Sequence, residues 1–156
     1  MAQPLAQLKW PNDVLVQGRK ISGILVESGL RPDGALWLAV GIGINLQTPP
    51  DAAERPAAAI ADFDGAQALS QDEALARLSV RMADGMALWE REGFAPIAKA
   101  WTARAYGLGQ ACTARLGHET VEGIAEGLDP DGSLRLRLVD NSVRRISAGD
   151  VFFGEV

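Results

Sequence analysis

The sequence predicts an α+β protein, with an antiparallel sheet and packed helices over residues 1–107 and a small β-barrel over residues 108–156. Three observations predict it. Near-continuous apolar runs separated by turn signals of hairpin length fill the first third. A strongly capped helical stretch occupies the middle, and short strands of period-two alternation fill the last third.

The first elements are strands. "VLV", "ISGILVES" and "ALWLAVGIGINL" are separated by the turn signals "QGRK" and "RPDG", which predicts a three-stranded antiparallel meander. "GILV" and "ALWLAV" are continuous rather than alternating, so these strands are expected to be covered on both faces, one of them by helices. Gln47 to Gln67 is rich in Pro, Ala and Asp and weakly periodic. It reads as a surface connection with a short helical turn at Ala57 to Ala61, either a disordered loop or a lid.

Ser70 followed by Glu73 is a capping box, and Leu75, Leu78, Met82 and Trp89 then recur at helical spacing until Gly93 offers a stop. Pro96 suits the first turn of a second helix to about Arg104, with Ile97 and Trp101 on one face, so the two helices form a hairpin against the sheet. "ACTARL", "VEGIAEGL", "SLRLRLV", "VRRIS" and "VFFGEV" follow as short strands. Leu134, Leu136 and Leu138 alternate with Ser133, Arg135 and Arg137, one face buried and one wet. This run is the size of a small SH3-like barrel.

Composition narrows the function. A chain of 156 residues with 47% hydrophobic and 22% charged residues can bury a core without staples. No apolar run reaches the roughly 18 to 20 residues of a membrane span, and "MAQPLAQLKW" is not a secretory signal, so a cytoplasmic location is expected. Cys112 is the single cysteine and His118 the single histidine, which leaves no basis for a disulfide within the chain or a thiolate metal cluster. The net charge of -5 argues against a nucleic-acid footprint.

Chemistry concentrates in "KWPNDVLVQGRKISGILVE", Lys9 to Glu27. Lys20 leads into an apolar strand, where an ammonium needs a carboxylate such as Asp13 or Glu27, or an anionic ligand. A partly exposed ion pair and an anion site are both compatible with that placement. "GIGIN", Gly41 to Asn45, ends an apolar strand; its glycines mark a bulge or, with Gly23, a bare backbone floor for a flat ligand. It is not a dinucleotide fingerprint, because the third glycine is absent. His118 reads as an exposed turn residue, Cys112 as a small core residue, and Arg135, Arg137, Arg144 and Arg145 as a solvated face.

Taken together, "LKWPNDVLVQGRKISGILVE" and the downstream "GIGINL" resemble the biotin protein ligases, the biotin-[acetyl-CoA-carboxylase] ligase family. "LWEREGFAPIAKAW" and "GIAEGLDPDGSLRLRL…SAGDVFF" are similar to that family's last helices and SH3-like C-terminal domain, in the right order. The resemblance implies the second half of a class II synthetase-like catalytic domain followed by that C-terminal domain. The family's flexible Gly/Arg-rich loop of the type GRGRxG is not in this sequence, nor is the helix-turn-helix of some members. The isolated chain is therefore expected to have little or no ligase activity.

For function, the resemblance implies ATP-dependent activation of biotin to biotinyl-5'-AMP and transfer to a lysine of a biotin carboxyl carrier protein. Lys20 and Asp13 are the implied catalytic residues, with Lys20, Gly23, Gly41 and Gly43 toward biotin and Asn45, Lys9, Trp10 and Asn12 toward the nucleotide. ATP and biotin are substrates, and Mg2+ accompanies ATP without a dedicated protein cage. A homodimer is compatible with the family; DNA and membrane are not expected partners. The competing expectation is a non-catalytic module that docks a carrier protein or subunit on the same scaffold.

Overall fold

The structure, a computed structural model, describes residues 6–50, 56–63 and 69–154. Its first sheet is an antiparallel meander of four strands in the order β1 (Ala6–Lys9), β2 (Asp13–Val16), β3 (Arg19–Leu30), β4 (Leu36–Ile44). β1, a short strand that ends on the motif's Lys9, is additional to the predicted three. Two residues, Gln17 and Gly18, turn β2 into β3, and both have positive φ (51° and 74°), the backbone that matches the twist of a tight hairpin.

After the first sheet, residues 56–63 pack down rather than loop out. Lys20 N–H donates to Pro56 O (2.9 Å) and Ala58 N–H to Lys20 O (2.9 Å), while Ile60 N–H donates to Asn45 O (2.8 Å). Ala58 and Ala59 are fully buried. The surface connection expected here is thus corrected over these residues, and its helical turn is a 3-10 turn at Ile60–Asp62. The rest of the expected lid lies outside the described residues.

α1 (Gln71–Glu92) and α2 (Ala95–Thr102) match the predicted helices. Ser70 Oγ accepts from Glu73 N–H (3.2 Å) and the Glu73 carboxylate accepts from Ser70 N–H (3.0 Å), closing the capping box; Gly93 ends α1 at φ 75°. Their placement is a correction. α1 buries no residue, and Leu75, Val80 and Trp89 stay exposed, as do Leu25, Val26, Leu30, Leu36 and Leu38 on the first sheet. The hairpin leans instead on the second sheet, because Trp101 of α2 packs into that sheet's core.

That second sheet is five-stranded and antiparallel, in the order β8 (Val143–Ile146), β7 (Leu134–Arg137), β6 (Thr120–Leu128), β5 (Ala111–Arg115), β9 (Asp150–Phe153). The predicted alternation holds: Leu134 and Leu136 are buried while Arg135 and Arg137 reach Asp129 and Glu126. Ser133 departs from it and is buried, its N–H donating to Asp131 Oδ1 (3.1 Å) in the preceding turn. All five strands and Trp10 share one core of Cys112, Ala114, Ala125, Leu134, Leu136, Ile146 and Val151.

Trp10 joins the sheets. It belongs to the first sheet by sequence yet is only 6% exposed in the second sheet's core, and its Nε1 donates to Gly132 O (3.2 Å). Beside it, Leu8 N–H donates to Arg104 O (2.8 Å) and Tyr106 N–H to Leu8 O (2.8 Å), which lays the segment after α2 along the free edge of β1. This stitching brings an outer face of the second sheet over the charged strands of the first.

Candidate active site

A bulge assembles the centre of the site. β2 pairs with β3 as Asp13↔Gly23 and Val14↔Ser22, then shifts to Leu15↔Lys20, so Ile21 is the extra residue on β3. Residues 20 and 23 would face opposite sides of a regular strand; the extra residue returns Lys20 to the face of Asp13 and Gly23. There Lys20 Nζ lies 2.5 Å from Asp13 Oδ1. Asp13 is buried and the Lys20 side chain is 40% exposed, so the pair has its cationic end toward solvent.

Gly23 makes room for that pair. A Cβ on Gly23 would stand 3.1 Å from both Cε and Nζ of Lys20. Gly43 lies opposite Gly23 and Gly41 opposite Leu25, but a Cβ at either would meet only a backbone oxygen, at 3.9 and 3.8 Å. Local packing therefore does not require glycine at 41 or 43; the bare backbone is left toward open space.

Asn45 closes the far side. Its Nδ2 donates to Ala58 O (2.9 Å) and Lys20 O (3.4 Å), which commits the amide nitrogen to the strap and leaves Oδ1 as the acceptor end. Asn12, at the β1–β2 corner, donates through Nδ2 to Ile24 O (2.7 Å).

Two cavities meet at the ion pair. One, of about 750 Å³, is lined by Asn12, Asp13, Lys20, Gly23, Gly43 and Asn45, and by Arg115, Asp150 and Phe152 from the second sheet. The other, of about 610 Å³, lies between the sheets and is lined by Lys9, Asp13, Lys20, Tyr106, Arg115, Phe152 and Phe153. Phe152 carries the Arg115 guanidinium 4.3 Å from its ring centre and the Lys9 ammonium at 5.7 Å. Such faces attract cations through the ring quadrupole.

This arrangement can be compared with known proteins. Residues 3–46 match the Biotin/lipoate A/B protein ligase family and residues 107–154 match the Biotin protein ligase C terminal domain. A biotin--[acetyl-CoA-carboxylase] ligase from Paracoccus denitrificans is 43% identical over 97% of the chain. The chain belongs to the biotin protein ligase family.

It spans 65% of that relative's length. The bifunctional ligase/repressor BirA of Bacillus subtilis (strain 168) is 32% identical over 94% of the chain and 46% of its own length. The biotin protein ligase of Aquifex aeolicus shares the fold: its apo structure superposes with a TM-score of 0.79 at 25% identity, covering 97% of the chain and 66% of that protein. The same ligase has been solved with biotin and ATP (TM-score 0.78, 24% identity).

Within the fold of this ligase family, the structure brings Lys20, Asp13, Gly23, Gly43, Asn45 and Asn12 around one cavity and Lys9 to the adjoining one. Gly41 lies two pairs further along the same strand and does not line either cavity. Trp10 is buried in the second sheet's core and lines neither cavity. Arg115, Asp150 and Phe152 were not expected there. "ACTAR" and "DVFF" reveal by alternation with the buried Ala114 and Val151 that these side chains point away from the core, but no local pattern says that the outer face meets the first sheet.

The remaining candidates stand apart. Cys112 is buried, and burial pushes its thiol up to about 11, so it is no nucleophile at neutral pH. His118 is exposed, 3.5 Å from Glu119. Arg135, Arg137, Arg144 and Arg145 each pair with a carboxylate among Glu119, Glu126, Asp129 and Asp131.

Proposed function

We propose that this chain provides the adenylate site of an ATP-dependent biotin ligase, with Lys20 and Asp13 as its reacting-centre residues. The observation that carries it is the Lys20–Asp13 pair set at the mouth of a cavity whose floor is the glycine backbone of two paired strands. In the first step a biotin carboxylate oxygen bonds to the α-phosphorus of ATP, and the bond from that phosphorus to the bridging oxygen breaks, releasing pyrophosphate. Both reactants are anionic, and negative charge spreads over the phosphoryl oxygens, so a positioned cation stabilises the transition state. Lys20 is that cation. Gly23 and Gly43 let the flat ring and chain of biotin approach the backbone, and Gly41 extends the same bare strip.

In the second step the nitrogen of a carrier lysine attacks the acyl carbon, and the bond from that carbon to the AMP phosphate oxygen breaks. The amine must lose a proton to do so, and Asp13 is the acceptor that holds it in line. Asn45 Oδ1 suits the exocyclic amine of adenine, its Nδ2 being engaged by the strap. Asn12 shapes the wall beside it, and Lys9 supports the charge balance from the adjoining cavity. Mg2+ would accompany ATP, held largely by its phosphates and water.

The name of the Paracoccus relative supports a carrier domain of acetyl-CoA carboxylase as the acceptor, and no helix among the described residues is long and apolar enough to cross a membrane. A cytoplasmic location, a possible homodimer and no contact with DNA belong to the same reading. So does the division into residues 1–107 and 108–156, the latter an SH3-like domain, supported by the single core of the five strands and the extent of the C-terminal match.

The test is a titration of biotinyl-5'-AMP into the purified chain by calorimetry. Saturable binding, weakened at least tenfold by Lys20→Ala, is expected, since a charge-assisted contact is worth roughly 1.5–3 kcal/mol. No binding by the wild-type chain overturns the reading and favours a docking module.

A further inference from the structure

The first sheet has a second face, and it is bare. In the β3–β4 register Val26 pairs with Val40, Ser28 with Leu38 and Leu30 with Leu36, which sets these residues on one side of the sheet. Gly23 and Gly43, which line the cavity, stand on the other side. Val26, Leu30, Leu36, Leu38 and Val40 are each between 43% and 73% exposed. β4 also ends the sheet order, a nine-residue edge strand with no charge and no proline to blunt it. α1 carries a second such surface: Leu75, Met82, Met86 and Trp89 recur at helical spacing along a single stripe, and each is at least 41% exposed. Monomeric proteins rarely leave contiguous apolar patches of this kind in water.

We propose that the back of the β3–β4 hairpin and the stripe of α1 together dock one partner, a polypeptide equivalent to the third of the ligase fold that this chain does not span, and hold it without a covalent link. The chain covers 65% of the Paracoccus ligase and 66% of the Aquifex one, and residues 107–154 match the family's C terminal domain. The uncovered third of those relatives therefore lies on the N-terminal side of the match. A segment of that length can supply what both surfaces lack: a strand for the open edge of β4, and an apolar layer for the sheet's back and for α1. A short peptide would cover one surface and leave the other wet. A carrier domain released after each turnover would leave both wet between encounters. The proposal rests on the family match and on these two surfaces, and it is independent of the roles given to Lys20 and Asp13.

The partner is tested as a separate polypeptide: the uncovered N-terminal third of the Paracoccus ligase, tagged and co-expressed with the 156-residue chain. A one-to-one complex is expected by light scattering, with amide exchange in β4 and α1 slowed roughly tenfold or more relative to the chain alone. Leu38→Glu and Met86→Glu, one on each surface, are each expected to weaken the complex roughly tenfold or more. Both side chains are exposed in the chain alone, so neither substitution should change its melting temperature appreciably. If the partner is insoluble, it is joined to the N-terminus of the chain by a flexible linker, and the same protection and its loss in the two variants are read within one polypeptide. Three outcomes overturn the proposal: no complex together with unchanged exchange in the linked form, a homodimer of the chain that excludes the partner, or a complex indifferent to both substitutions. Biotinyl-5'-AMP titrated into the same samples separates the two readings. A complex that forms and binds no adenylate overturns the ligase site and leaves the docking surface standing.

Discussion

Lys20 Nζ sits 2.5 Å from Asp13 Oδ1, and the two side chains share a face because Ile21 is bulged out of the β2–β3 register. In the proposed ligase reading each serves a different step. In a ligase that also carries the GRGRxG-type loop, Lys20→Ala is expected to lower adenylate formation by about 100-fold or more, the scale of losing one transition-state charge stabiliser. Asp13→Ala is expected to slow transfer from preformed biotinyl-5'-AMP more than it slows adenylate formation. Separate assays of the two half-reactions check this, and near-normal rates in the matching half-reaction would remove the role.

Gly23 and Gly43 face each other across β3 and β4 yet differ in what surrounds them. Gly23→Ala places a methyl 3.1 Å from the Lys20 ammonium, so it is expected to displace the amine and impair adenylate formation. Gly43→Ala meets only Gly23 O at 3.9 Å. It should melt within about 1 kcal/mol of wild type while losing biotinyl-5'-AMP affinity, because the added methyl occupies the ligand's floor. Full affinity in Gly43→Ala would show that no ligand lies on that strand.

Cys112 makes stability depend on alkaline pH. Burial raises its thiol from 9.0 to about 11, against a smaller opposing effect of its hydrogen bond with Ala125. Between those values the unfolded chain has lost the proton that the folded chain retains, so the unfolded state binds fewer protons and stability falls as pH rises. The decline should begin near pH 9 and flatten above about pH 11. Denaturant unfolding of the wild type and Cys112→Ala across this range checks it; the variant should lack this component of the slope.

Ser70 caps a helix that has no buried residue, so the cap matters more than usual. Ser70→Ala is expected to destabilise α1 by about 1 kcal/mol, seen as faster amide exchange in its first turns. Hydrogen bonds from Ser70 hold the Glu73 carboxyl below its ordinary value. Its stabilising share is therefore present above pH 4.5 and lost as pH falls below it; this acid sensitivity should shrink in Ser70→Ala, which keeps the backbone N–H donor and loses only the hydroxyl, and vanish in Glu73→Gln.

Trp10 is the bolt between the sheets. Trp10→Ala empties a core position and is expected to cost about 3–5 kcal/mol, whereas Trp10→Phe retains most of the packing and loses the Nε1 hydrogen bond to Gly132 O. If Trp10 instead served the nucleotide, Trp10→Phe would weaken biotinyl-5'-AMP binding without changing the melting temperature.

Much of this was legible in the chain before folding was considered, wherever the signal was local. The capping box of Ser70 and Glu73, the stop at Gly93, the tight turn at Gln17–Gly18 and the alternation through Leu134 and Leu136 each depend on residues within a few positions of one another. Lys20 and Asp13 were legible as a possible pair for the same reason. What surrounds them was not.

Period-two patterning tells which way a strand residue points but not what it meets, so Arg115 and Phe152 read as the outer face of one sheet and became the wall of another's site. The bulge at Ile21, the descent of Ala58 and Ala59 onto Lys20 and Asn45, and the turning of the helices toward the second sheet were settled by contacts between distant segments. Register and inter-sheet packing are won by the arrangement that satisfies backbone hydrogen bonds and buries Trp10 and Trp101 together, a competition no local window of sequence contains. The amino acids named the chemistry; the packing of one sheet on the other decided which of them stand around it.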